Sequence, residues 1–203
     1  MNLFAWVGVA SAVINAIAFI PYVRSVLKGK TKPERSSWWI WAGLMIIAVT
    51  AQIAVGATWS VLFTIVFLIG DTAIGLLSLK YGYGKFSSKD AASIALAIGG
   101  VYLWYLTGSP LIALIVTIGV DFLGNVLTIM KSWRSPYSEN VFAWLLMTLA
   151  AVLSVVSVGR FEVTYLLFPF YVVIMNLVTV STVTYRRSWR SKRIKSGLKK
   201  TSK

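Results

Sequence analysis

Residues 19–41 read FIPYVRSVLKGKTKPERSSWWIW, and residues 122–144 read FLGNVLTIMKSWRSPYSENVFAW. Set 103 positions apart without a gap, they pair Phe19 with Phe122, Val23 with Val126, Lys28 with Lys131, Pro33 with Pro136 and Trp41 with Trp144. The match runs on through Ala48, Val49, Val55 and Gly56 against Ala151, Val152, Val158 and Gly159, giving nine identities over positions 19–56. Both stretches follow one plan: the end of an apolar segment, a basic connection from Lys to Pro, and the start of a second apolar segment. Self-similarity at a single offset is the mark of a structural repeat.

Around these stretches the chain is apolar almost throughout. Of its 203 residues 58% are hydrophobic, the mean hydropathy is +0.77 and only six residues are acidic, too little polar surface for a water-soluble domain of this size. Apolar runs of about 18 residues or more are long enough to cross roughly 30 Å of hydrocarbon as helices, and the alternation of a β-barrel is missing. The spacing predicts seven helices at about 3–27, 37–55, 58–80, 90–106, 109–131, 139–158 and 161–185. The first lacks a basic leader and a small-residue cleavage site, and is read as a retained helix.

The 20 basic residues sort by side. Five lie between Arg24 and Arg35, three between Lys80 and Lys89, two at Lys131 and Arg134 and nine from Arg186 onward, leaving Arg160, beside Glu162, alone on the other face. Short basic connections stay in the cytoplasm. The expected topology is a multi-pass protein of the cell membrane with its N-terminus outside and its C-terminus cytoplasmic. Trp6, Trp59, Tyr102, Trp104 and Tyr105 fall at outer ends and Trp38, Trp39, Tyr81, Tyr83, Trp133, Tyr185 and Trp189 at inner ends, as interfacial anchors do.

Two triplets of helices that point the same way need one extra crossing between them. The expected organisation is a first three-helix repeat at 1–80, a linker with the fourth helix at 81–108, a second three-helix repeat at 109–185, and a basic cytoplasmic tail at 186–203 that is too polar to pack. The tail carries no acid, so anionic lipid headgroups attract it at about 1 kcal/mol per basic residue.

This all-α, 3+1+3 chain, with Pro21-Tyr22 ahead of a basic loop, resembles the PQ-loop and SWEET-like superfamily of seven-helix membrane proteins, which includes SWEET sugar transporters and cystinosin-type carriers. The segments Lys28 to Pro33 with Trp38-Trp-Ile-Trp41, and Lys131 to Pro136 with Glu139 and Trp144, are similar to those of uncharacterised bacterial PQ-loop-like proteins. The resemblance covers residues 1–185. The name-giving pair is Pro21-Tyr22 in the first copy and Gly124-Asn125 in the second, so its glutamine is replaced in both and its proline in one.

Ionisable groups at bilayer depth are costly and functional by default. Asp71 in the third predicted helix and Asp121 in the fifth stand about midway along their segments, with Asn15 and Asn176 at similar depth. Repeat transporters hold their substrates near the midplane, at the repeat interface. Thr117, Asp121, Asn125 and Thr128 are spaced four, four and three apart and form one stripe on a helix. The substrate-binding candidates are therefore Asp71, Asn176, Asp121, Asn125 and Asn15. The resemblance implies that Asp71 and Asn176 correspond to the paired asparagines that contact sugar in SWEETs, and an aspartate there favours a protonated donor, a cationic substrate or proton coupling. The competing reading for the polar residues is interhelical hydrogen bonding, worth roughly 0.6 kcal/mol per contact. Pro21 and Gly124 are candidate hinges, since either residue lets a helix bend, and Pro169 is a third bend.

With no cysteine and no histidine, the chain offers no thiolate or imidazole for a metal or a nucleophile. No phosphate-binding glycine motif occurs, and no enzyme is expected. The reading is a membrane transporter of a small polar solute, sugar-, vitamin- or amino-acid-like, working by alternating access with optional proton coupling. The alternative is a non-transporting receptor or scaffold of related fold, like the KDEL receptor. Expected partners are the solute, membrane lipids and, as a homo-oligomer, a second copy, with no nucleic acid, cofactor or metal.

Overall fold

The computed structural model describes residues 3–54, 60–84, 91, 95, 98–99, 102, 105–106, 110–158 and 163–201. Among them are six α-helices: α1 (Leu3–Leu27), α2 (Arg35–Ala54), α3 (Ser60–Tyr81), α4 (Pro110–Arg134), α5 (Val141–Ser157) and α6 (Val163–Thr201). A 3-10 turn, Pro136–Ser138, joins α4 to α5. Among the described residues four stretches are long and apolar enough to cross a membrane: Leu3–Leu27, Thr64–Tyr81, Ile115–Arg134 and Leu166–Arg193. The chain is a helical membrane protein, because in lipid each backbone polar group must find its partner within the segment. The expected crossing at 90–106, apart from scattered positions, and the turns at 56–57 and 159–160 with Glu162 lie outside the described residues.

Local chemistry sets the helix ends. α1 stops where Gly29 takes a φ of 68°, the left-handed conformation that glycine adopts without steric cost. The Gly29 and Lys30 amides then donate to the carbonyls of Val26 and Ser25 at 2.9 and 3.0 Å. At the start of α2 the Glu34 carboxylate accepts the Ser37 amide at 2.7 Å, satisfying a free N–H and placing a negative charge at the positive end of the helix. Asn140 does the same for α5, accepting from the Ala143 amide at 3.1 Å. Arg35 reaches across to the last carbonyls of α3, donating to Ser78 and Leu79.

Two expectations are corrected. The last helix does not end at 185: α6 continues through the tail to Thr201, with no proline after Pro169 to stop it. Nor is the tail too polar to pack. Arg186 donates to the Trp133 carbonyl at 3.0 Å, and Arg187 to the carbonyls of Pro136 and Glu139 at 3.0 and 2.6 Å. These carbonyls at the end of α4 and in the turn after it lack helical partners, so a guanidinium is a fitting donor for them.

α1 packs on α3 and α5, α2 on α3 and α4, and α6 on α4 and α5. Among the described residues α3 thus lies between α1 and α2, and α6 between α4 and α5. The core is aromatic: Tyr22, Trp38, Trp41 and Trp144 are buried against one another, with centroid separations of 5.0 Å for Tyr22–Trp38 and for Trp38–Trp41. Ile17, Leu76, Phe142 and Leu177 point outward and are exposed, as the lipid-facing side of a bundle requires.

Candidate functional site

All six helices contribute to one cavity of about 410 Å³, within the usual size of small-molecule sites, roughly 300–1,000 Å³. Asp71 from α3, Asp121 and Asn125 from α4, and Asn176 from α6 line it together. Each of the four is at most 8% exposed. Four of the five binding candidates therefore meet at one point, from three helices that are far apart in sequence.

Asn15 is the exception and does not line the cavity. It shares one stripe of α1 with Ser11, Ala18 and Tyr22, all buried, at the spacing of four, three and four that keeps residues on one helical face. Ser11 on this stripe donates to the Ala150 carbonyl of α5 at 2.7 Å. The Asn15 amide is fully buried, and neither its nitrogen nor its oxygen finds a partner among the described residues.

The two carboxyl groups differ in their surroundings. Asp121 accepts from Asn125 Nδ2 at 2.6 Å, one helical turn along α4, and the Tyr171 hydroxyl of α6 is a second donor to it. Asp71 has Asp121 as its electrostatic neighbour, and among the described residues nothing donates a hydrogen bond to it. Two carboxylates sharing an apolar cavity repel each other unless a cation, a proton or a donor comes between them.

The polar stripe of α4 divides its work. Thr117, Asp121 and Asn125 line the cavity, whereas Thr128 is buried and donates to the Ser37 hydroxyl at 2.9 Å. The candidate hinges sit inside unbroken helices, Pro21 in α1 and Gly124 in α4. Gly124 has a packing role as well: a Cβ there would stand 2.7 Å from Trp41 Nε1.

Toward the basic connections the cavity ends on the rings of Trp38, Trp41 and Trp144. Trp38 was expected as an interfacial anchor, but it is 1% exposed and forms part of this floor. Its first-turn position resembles an anchor in sequence, while its face of α2 looks inward. Beneath the floor lies a network that residue patterns did not reveal. Glu139 accepts from the Tyr22 hydroxyl at 3.1 Å and from Trp144 Nε1 at 2.9 Å, and forms a buried ion pair with Lys131. Lys131 also donates to the Lys32 carbonyl at 2.8 Å. In a chain with six acids each acid was a signal, but Lys131 and Glu139 read as ordinary charges of a basic loop. Tyr171 likewise carried no signal beyond a hydroxyl deep in an apolar segment.

Bundle and cavity together define a helical membrane protein with a central site of carboxyl and amide groups walled by aromatic rings. Comparison of the chain with family models, characterised proteins and solved structures finds no match.

Proposed function

We propose that this protein is a carrier of a small solute, with seven crossings arranged as two parallel three-helix repeats and a linking helix, the N-terminus outside and the C-terminus in the cytoplasm. The PQ-loop and SWEET-like resemblance is part of the same proposal. The observation that carries it is the convergence of Asp71, Asp121, Asn125 and Asn176 on one cavity lined by every described helix. A site built between all the helices changes shape whenever the two halves move, which is the requirement for alternating access.

The contacts between helices support the repeat. Exchanging α1–α3 with α4–α6 maps each packed pair onto another: α1·α3 onto α4·α6, α2·α3 onto α5·α6, and α1·α5 onto α4·α2. Between the halves, Asn140 Nδ2 donates to the Pro21 carbonyl at 2.9 Å, and the Ser37 hydroxyl to the Gly124 carbonyl at 2.6 Å. Donors 37 and 140, like acceptors 21 and 124, are separated by 103 positions. The Trp floor and the Glu139–Lys131 network then form a closed inner gate, and the rocking of the halves would open it.

The experiment is reconstitution. A ligand-induced thermal-shift screen over sugars, vitamins, amino acids and amines picks a solute, whose uptake into proteoliposomes is then measured for wild type and Asp71→Asn. Uptake that Asp71→Asn abolishes while remaining folded supports the carrier. Undiminished uptake with both aspartates replaced contradicts it, and saturable binding without uptake favours a receptor.

A further inference from the structure

The Asp71 carboxyl is 4% exposed, faces the cavity and receives no hydrogen bond from the described residues. The lining contains neither Lys nor Arg. Lys131, the buried basic side chain among the described residues, lies below the Trp floor and is already held by Glu139 and the Lys32 carbonyl. A negative charge on either carboxyl would thus find no cationic partner among the described lining residues. A solute anion, or the carboxylate of a zwitterion, would meet two carboxyl groups and no cation among the lining residues.

The walls supply a second, independent constraint. Phe19, Trp38, Trp41, Phe67, Trp144 and Phe168 surround the polar groups. Aromatic faces attract a desolvated cation through their quadrupoles, most strongly when the ring is an indole, and they also cover an apolar body. Hydrogen-bonding side chains line the cavity as well, but the ionisable ones among them, Asp71 and Asp121, are both acids, which is what selects a cation over a neutral sugar.

We infer that the solute of this cavity is a small organic cation with an apolar or aromatic body, its charge between Asp71 and Asp121 and its body against the tryptophans. The inference rests on reading the cavity as the solute site and adds the substrate class. Asp121, already supplied with donors by Asn125 and Tyr171, holds a fixed orientation, whereas Asp71 is the group left open for the ligand.

The test uses the purified full chain and benzyltrimethylammonium, whose charge is independent of pH, compared with benzyl alcohol, benzoate and glucose. Tryptophan fluorescence and thermal unfolding are read for wild type, Asp71→Asn and Asp71→Glu. The expected result is saturable quenching and a raised Tm with benzyltrimethylammonium, weakened at least tenfold in Asp71→Asn and partly restored in Asp71→Glu, with no response to benzoate. Equal responses to the cation and to benzyl alcohol, as when Asp71 needs only a proton, would overturn the inference, as would binding unaffected by Asp71→Asn. Saturable uptake of glucose with no response to the cation would overturn the substrate class and leave the carrier standing. Binding of the cation without its entry into proteoliposomes would do the reverse.

Discussion

Asn140 holds the Pro21 carbonyl at 2.9 Å, so the first turn of α5 is fastened to the C-terminal half of α1 at the proline inside that helix. The same side chain accepts the Ala143 amide, and it therefore serves both as the cap of one helix and as a tie to another. Ser37 makes the corresponding tie to Gly124 at 2.6 Å, with Glu34 Oε2 as a second acceptor for its single proton at 2.9 Å. In Asn140→Ala the loss of cap and tie together should cost about 1–2 kcal/mol. Ser37→Ala, which keeps the backbone cap to Glu34, should cost about 1 kcal/mol. Thermal or denaturant unfolding in detergent measures both, and equal losses would argue against the added capping role of Asn140.

The Glu139–Lys131 pair is buried on both sides. Removing one partner leaves an uncompensated charge, so Lys131→Met or Glu139→Gln alone should destabilise by about 3–5 kcal/mol. The double variant should recover part of that loss, and a double-mutant cycle on unfolding midpoints gives the coupling directly. Strict additivity would mean that the pair contributes nothing as a pair.

Gly124→Ala introduces a Cβ at 2.7 Å from Trp41 Nε1. The indole must move, at a cost of about 1–3 kcal/mol for an overpacked site. Because Trp41 lines the cavity, solute affinity should fall together with stability. Gly119→Ala is the control on the same helix, since a Cβ there meets nothing within 4 Å; it should leave affinity unchanged and raise stability by up to about 1 kcal/mol through the helix preference of alanine.

Orientation is open to a clean labelling test because the chain contains no cysteine. Trp6 is 61% and Tyr137 56% exposed, near opposite ends of the bundle. With intact cells and a membrane-impermeant maleimide, Trp6→Cys should label at once and Tyr137→Cys only after permeabilisation. The reverse pattern would invert the topology.

Much of this was legible in the sequence for a physical reason: lipid imposes long uninterrupted helices, and burying a carboxyl there is expensive enough to stand out. Asp71, Asp121 and Asn176 were recognisable by depth, and Asn125 by its place on the polar stripe of α4. Depth does not report rotation about the helix axis, which is why Asn15 was grouped with them although it shares the Ser11 stripe of α1. Glu139 and Lys131 were missed because their partners, Tyr22 and the Lys32 carbonyl, are about 100 residues away in sequence. The packing of Arg186 and Arg187 was hidden for a similar reason, since the carbonyls they bind belong to Trp133, Pro136 and Glu139. Composition sees a charged tail but not the helix end waiting for it.

Access to the cavity from both sides of the membrane is the most direct test of the account. Ser154 lines the cavity, and Ser154→Cys would carry the only thiol in the chain. A membrane-impermeant methanethiosulfonate reagent is applied to right-side-out and to inverted vesicles, and the labelling rate is followed. Alternating access predicts modification from both faces, slower from the basic face that the Trp floor and Glu139–Lys131 close in the structure. Modification from one face alone, over times in which solute uptake proceeds, would contradict it.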